Sequence, residues 1–160
     1  MDGGHISCGI MCLSSTSRGT VTLKTADVRD NPVLDPQYMS TEHDRAVIRA
    51  GMRAAMKAMS SPAMQEYIIE ETPPPGHTQL TLDSSDAELD ARIKAVAFPS
   101  FHAAGTAAMG DVVDNECRVK GVEGLRVVDA SIFPVSVTAH LQAPVYAVAE
   151  QAASIIAASL

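Results

Sequence analysis

Hydrophobic and polar positions change period several times along the chain. Residues 5–13 are apolar-rich and free of proline, and residues 20–25 alternate Val21 and Leu23 with polar neighbours. Two strands joined by a Ser/Thr/Gly turn over 14–19 are predicted from that pattern. Residues 27–36 hold Asp, Asn and two prolines, which disfavour helix at the residues before them, so an irregular connection is expected. Between residues 44 and 59 the spacing becomes helical. Ile48, Met52, Ala55, Met56 and Met59 fall at i, i+4, i+7, i+8 and i+11, one stripe of an α-helix whose methionines serve packing, and Pro62 lies just past its end. Three consecutive prolines, Pro73, Pro74 and Pro75, forbid helix over 70–77 and mark a surface spacer or a loop at a pocket rim. Ser85 and Glu88 form an S-x-x-E capping box, with Leu89, Ile93 and Val96 following at helical spacing. A short apolar strand is expected over 125–128. A third helix begins near Pro144 and carries Val145, Ala149, Ala152 and Ile156 as its buried stripe, with Val148 beside it.

The length of 160 residues suits one domain, and such a unit can bury roughly 70% of the surface of its unfolded chain. With 46% hydrophobic and 19% charged residues the composition is that of a globular protein, away from disordered or disulfide-rich classes. Twelve basic against nineteen acidic side chains give a formal charge of −7, and no two Lys or Arg are adjacent. Nucleic acid and anionic membrane are therefore not expected as partners. No stretch reaches the ~18 apolar residues of a membrane span, and the first fifteen residues lack a basic leader, so a cytoplasmic location is the default expectation. Cys8 and Cys12, on one face of the expected strand, and Cys117 are expected to be buried thiols with no disulfide framework. No C-x-x-C or H-x-x-x-H spacing is present, so no metal site is expected.

Two segments stand apart, FHAAGTAAMG over 101–110 and GVEGLRVVDASIFPVSVTAHLQAPVYAVAEQ over 121–151. Their order is His102, Gly105-Thr106, Met109, Val112-Val113-Asp114, Gly124-Leu125-Arg126-Val127 with Asp129 and Ser131, and finally His140 shortly before the last helix. This series resembles the C-terminal signature of the flavin-dependent glucose-methanol-choline (GMC) oxidoreductases. The upstream Ser17-Arg18-Gly19-Thr20-Val21-Thr22-Leu23 is similar to the family's strand turn at the start of its substrate-domain sheet, and Ala139-His140-Leu141-Gln142-Ala143-Pro144 resembles the aryl-alcohol oxidase branch.

The resemblance implies an α+β fold, an antiparallel sheet with helices packed on one face. It also implies a single C-terminal-type domain over 1–160, with a partial substrate-binding part at 1–100 and an active-site and flavin-facing part at 101–160. It implies FAD as cofactor and a small-molecule alcohol as substrate. Removing hydride from an alcohol carbon requires the hydroxyl proton to leave as well, and free imidazole, with a pKa of ~6.5, is a suitable acceptor. In the family's scheme His102 would be the general base, while His140 would hydrogen-bond the same hydroxyl and aim its C–H at the flavin. Gly105 would permit close backbone approach to the cofactor. Asp129 and Ala130 would offer backbone amides to the ribityl and pyrophosphate side, and Leu141 would present its amide to the pyrimidine ring. Read without the family, Asp129 is equally a turn residue ending a strand. His5, His43 and His77 carry no motif and are read as ordinary surface or core residues.

The family's N-terminal strand, G-x-G-x-x-G turn and helix, which hold the FAD pyrophosphate, have no counterpart here, Gly3-Gly4 being the nearest sequence. The chain is accordingly expected to act as the C-terminal part of a flavoenzyme with a separate N-terminal FAD-binding polypeptide, or as a homo-oligomer. Two other readings stay open: a cofactor-free isomerase, dehydratase or cyclase using His102 and His140 for acid-base work, and a non-catalytic binding module.

Overall fold

The computed structural model describes residues 4–159, so Gly3 and Leu160 lie outside the described residues. The chain divides into two compact units. One takes the described residues up to Cys12 with Met39–Phe98, the other Leu13–Tyr38 with Pro99–Leu160.

The first unit is helical. Helix α1, Glu42–Met59, starts at Thr41, whose hydroxyl accepts from the Asp44 amide at 3.3 Å, and carries Glu42 and Asp44 in its first turn and Lys57 in its last, each sign matched to the helix dipole. The expected stripe is the inward one, with Ile48 buried and Met52, Ala55, Met56 and Met59 half-buried. Pro62 opens a one-turn helix α2, Pro62–Gln65. Helix α3, Asp86–Val96, begins with the capping box anticipated from Ser85 and Glu88, and buries Leu89 and Ile93. Val96 is exposed, because the helix ends there and the chain turns away into extended backbone at Ala97.

Helices α1 and α3 are joined by charge as well as by apolar contact. Arg49, buried on α1, pairs with Asp90 at 2.9 Å and Asp86 at 3.6 Å, and contacts Glu42 two turns back along its own helix. Arg53 reaches Asp86 at 2.7 Å and donates to the Ser84 carbonyl at 3.0 Å. Arg53 holds the Asp86 carboxyl below the usual range, and Arg49 does the same for Glu42. The proline-rich segment is a closed loop. At its base Glu71 accepts from the Leu80 amide at 2.6 Å and pairs with Arg92 of α3, which also donates to the Thr78 carbonyl at 2.7 Å.

The strand expected over 5–13 does not form. Ile10 lies over α1 instead, close enough that any side chain at Gly51 would collide with it. Of the thiols, Cys117 is buried, Cys12 half-buried and Cys8 exposed, and none is in a disulfide; Cys8 is exposed because no sheet face covers it.

The second unit carries the sheet, a single antiparallel ladder of β1, Thr20–Thr22, and β2, Val33–Asp35, with Val21 opposite Leu34. The partner of β1 is thus found where an irregular connection was expected. Pro32 and Pro36 exclude helix, but proline biases the residue before it toward extended backbone, and Val-Leu between them suits a strand. Gly19 is needed at the ladder's end, where a side chain would strike the backbone of Asp35 and Pro36. The α+β class stands, on a small scale.

The core of this unit is Val113, Cys117, Ile132 and Ala152, with Met109, Val119, Val127, Val128 and Val148 against it. Helix α4, Gln142–Ala158, has Pro144 in its first turn and contributes Ala152, Val145, Val148 and Ile156 inward. Ala149, expected on that stripe, is exposed, since Val148 and Ala152 centre the buried face one position away. The strand expected over 125–128 is reduced to one bridge between Arg126 and Arg118. Val127 and Val128 are drawn into the core from a turn-rich segment, with the Val127 amide donating to Cys117 at 3.0 Å. No helix of the described residues is long and apolar enough to cross a membrane.

The Ser85 cap offers a test. Replacing Ser85 with Ala leaves an amide of α3 unpartnered and should cost about 0.5–2 kcal/mol in urea unfolding followed by circular dichroism, whereas Ser85→Gly should cost only a few tenths. Equal losses for the two variants would show that the cap does not act in this way.

Candidate active site

The second unit is held in shape by an alternating lace of backbone bonds. The amides of Gly105, Ala107 and Met109 donate to the carbonyls of Ala130, Ser131 and Ile132 at 3.2, 2.9 and 2.8 Å. Gly105 takes φ +84°, and a side chain there would lie 3.1 Å from the Phe133 carbonyl. Its freedom therefore serves a close approach to the protein's own backbone. Asp129 caps the single 3-10 turn Ala130–Ile132 by accepting from the Ser131 amide at 2.8 Å. The Ser131 hydroxyl and amide hold its carboxyl below the usual range.

Two further motif residues do structural work that the sequence does not reveal. Asp114 accepts at one oxygen from the Glu116 and Arg118 amides, both at 2.9 Å, and at the other from the Arg118 guanidinium at 2.9 Å. This turn supports buried Cys117 at φ +61°, a left-handed conformation that is costly for a side chain with a Cβ. Arg126 donates to the Glu116 carbonyl at 3.0 Å and to the Ser159 hydroxyl at 3.1 Å, tying the turn to the end of α4. Multiple donors converging on one carboxylate would have been the signal, and it exists only after folding.

The lace places His102 three residues before Gly105 and lets it meet His140. Nε2 of His102 and Nδ1 of His140 are 2.9 Å apart, with ring centroids 4.8 Å apart and planes tilted by 58°. His102 is half-buried and His140 exposed. The two nitrogens can share only one proton between them, so one donates and the other offers a lone pair. Leu141 precedes α4 and its carbonyl accepts from the Val145 amide at 2.9 Å, while its own amide lies outside the helix's bonding pattern. Beginning one residue after His102, a hollow of about 270 Å³ is lined by Ala103, Ala104, Thr106, Asp129, Ala130 and Ser131. The walls are short side chains. The volume is below the ~300–1,000 Å³ of a typical complete small-molecule site. Among the described residues no group of three or more His, Cys, Asp or Glu could hold a metal ion.

The family model of the GMC oxidoreductases matches residues 15–149. The chain belongs to this family. A GMC-type oxidoreductase, acuG, of Aspergillus aculeatus is 53% identical over 158 residues, covering 99% of this chain and 30% of its own length. Among solved structures, an FAD-dependent oxidoreductase from Chaetomium thermophilum superposes with a TM-score of 0.80 at 32% identity, over 90% of this chain and 25% of that one. A fungal aryl-alcohol oxidase does so with a TM-score of 0.72 at 35% identity, over 90% and 24%. This GMC chain thus spans under a third of the length of these relatives.

The depressed Asp114 carboxyl makes a pH-dependent prediction. The Arg118 amide above all, then the Arg118 side chain and the Glu116 amide, lower its pKa in the folded chain. Its stabilisation is therefore fully present above the unfolded value of ~3.9 and lost as pH falls through the lower folded value. Urea midpoints should be lower for Asp114→Asn than for the parent at pH 7, and the gap should close as pH falls below the unfolded value of ~3.9. A gap that persists unchanged at the acid end would exclude the charge as its source.

Proposed function

We propose that this chain is the active-site end of a flavin-dependent alcohol oxidoreductase, working as one C-terminal-type domain with an FAD-binding polypeptide. One observation carries the reading: the convergence of His102 Nε2 and His140 Nδ1 to 2.9 Å from positions 38 apart in sequence. A hydroxyl taking the place of that hydrogen bond meets one lone pair and one N–H. His140 Nδ1–H donates to the alcohol oxygen and fixes its orientation, and His102 Nε2 accepts the hydroxyl proton as hydride leaves the carbon. Swapping the tautomers would exchange these roles, and the family's motif, with His102 immediately before the lining residue Ala103, favours His102 as the base.

FAD, when bound, supplies the hydride acceptor. On this chain Ala103, Ala104 and Thr106 would border it after His102, with Asp129 and Ala130, which line the same hollow, offering their backbone amides. The carboxylate of Asp129 accepts from the Ser131 amide, which fixes its orientation at the start of the turn. Gly105, at φ +84°, would permit close backbone approach to the cofactor. Leu141 would offer its amide at the start of α4. The solved aryl-alcohol oxidase supports an alcohol, aromatic ones included, as the substrate class.

The test is co-expression of this chain with the part of acuG outside the matched region, addition of FAD, and measurement of flavin reduction by benzyl alcohol. His102→Ala should lower the rate by about 10²–10⁴-fold, the usual contribution of a positioned base. His140→Ala should weaken both rate and substrate binding. A His102→Ala complex that reduces flavin at the parent rate would overturn the assignment.

A further inference from the structure

Two neutral imidazoles whose nitrogens converge are a chelating pair as well as an acid-base pair, since imidazole is the commonest metal ligand among side chains. Nε2 of His102 and Nδ1 of His140 stand 2.9 Å apart, with the ring planes tilted by 58°. A cation bound to both at the usual ~2.0–2.1 Å would see nitrogens at that spacing at roughly 90°. A tetrahedral centre spreads its ligands to ~109°, which needs nitrogens ~3.3 Å apart. The observed separation therefore matches two neighbouring corners of a square or an octahedron, as in Cu(II) and Ni(II) sites, better than the tetrahedron of Zn(II). Mg(II) and Ca(II) prefer oxygen and are not served by this pair.

His140 is exposed and His102 half-buried, so a hydrated ion reaches the pair from solvent and keeps water at its other positions. Among the described residues no third His, Cys, Asp or Glu completes a cage, which makes the ion an exchangeable occupant and not a resident one. The formal charge of −7 raises the concentration of cations around the chain. Chelation requires lone pairs on both inner nitrogens. The proton held between the rings moves through solvent to the far nitrogen of its own ring, so both imidazoles stay neutral and no net proton is lost.

We propose that His102 and His140 form a bidentate site for a divalent transition-metal ion of square or octahedral preference, Cu(II) or Ni(II), bound in place of their hydrogen bond. The metal site stands without the alcohol chemistry. Its consequence rests on the proposed function: the ion takes the position of the alcohol oxygen and occupies the lone pair that would accept its proton, so the metal inhibits reversibly.

Calorimetric titration of this chain with Ni(II) tests the site, Ni(II) being chosen because Cu(II) oxidises exposed thiols such as Cys8. The parent should bind one Ni(II) ion that His102→Ala and His140→Ala each hold at least about ten-fold more weakly, since losing even a group behind a ligand costs that much. His43→Ala, at an exposed histidine of helix α1, should bind as the parent does. Without any substitution, paramagnetic Ni(II) should broaden the ring proton signals of His102 and His140 together, before those of His43 and His77. A result in which only one of the two histidines matters reduces the pair to a single ligand and overturns the chelate, and so do equal affinities in all three variants. An ion that binds the pair while the complex of this chain with the rest of acuG still reduces flavin at its metal-free rate would sink the functional reading and keep the metal site.

Discussion

Three backbone bonds, from the Gly105, Ala107 and Met109 amides to the Ala130, Ser131 and Ile132 carbonyls, fix the register on which the second unit depends. Everything chemically interesting hangs from one side or the other of that lace. His102 stands just before its first bond, Asp129 just before its first acceptor, and Val113 and Ile132 fill the core beside it. A slip of one residue would move the backbone by roughly 3.3 Å and reverse which side chains face inward. That displacement exceeds the whole separation of the two imidazole nitrogens. Asp114 and Arg126 hold the turns that follow, so that the lace is closed on itself without a regular sheet.

This economy explains which parts of the fold were legible. Helices α1, α3 and α4 could be read because period, cap and proline all agree locally: Ser85 with Glu88, Pro62 past Met59, Pro144 in the first turn. Strands could not. In the second unit, apolar residues such as Val127 and Val128 are buried from turns and single bridges, so an apolar run there signals burial without signalling a ladder. The prolines around Val33–Asp35 were informative about what the segment is not, and a strand between them satisfies the same constraint. The ionic seam of Arg49 and Arg53 with Asp86 and Asp90 escaped because apolar periodicity scores long charged side chains as outward-facing, whereas Arg49 is buried and meets carboxylates that remain partly exposed.

For the site, the motif selected His102 and His140, and only the fold gave their distance. Spacing in sequence cannot report a 2.9 Å approach across 38 residues. Gly105 and Asp129 stood out in the motif for backbone approach and amides offered to a cofactor, and the folded chain gives each an internal bond as well, the Gly105 amide to the Ala130 carbonyl and the Asp129 carboxylate from the Ser131 amide. A motif marks residues that matter together. It does not separate those that touch a ligand from those that hold the ones that do.

The exposure of the pair bears on where catalytic power resides. His140 is open to solvent and His102 half so, and in water each nitrogen has competing partners for the bond a hydroxyl would make. Proton acceptance by imidazole gains directionality only where water is excluded and the oxygen has a single place to sit. This chain supplies the two nitrogens, the lace that spaces them and one wall of an adjoining hollow, all short side chains. Under the proposed role, the missing contribution is enclosure as much as cofactor. A polypeptide that closes over the pair and the hollow together would turn an exposed hydrogen bond into an acid-base site.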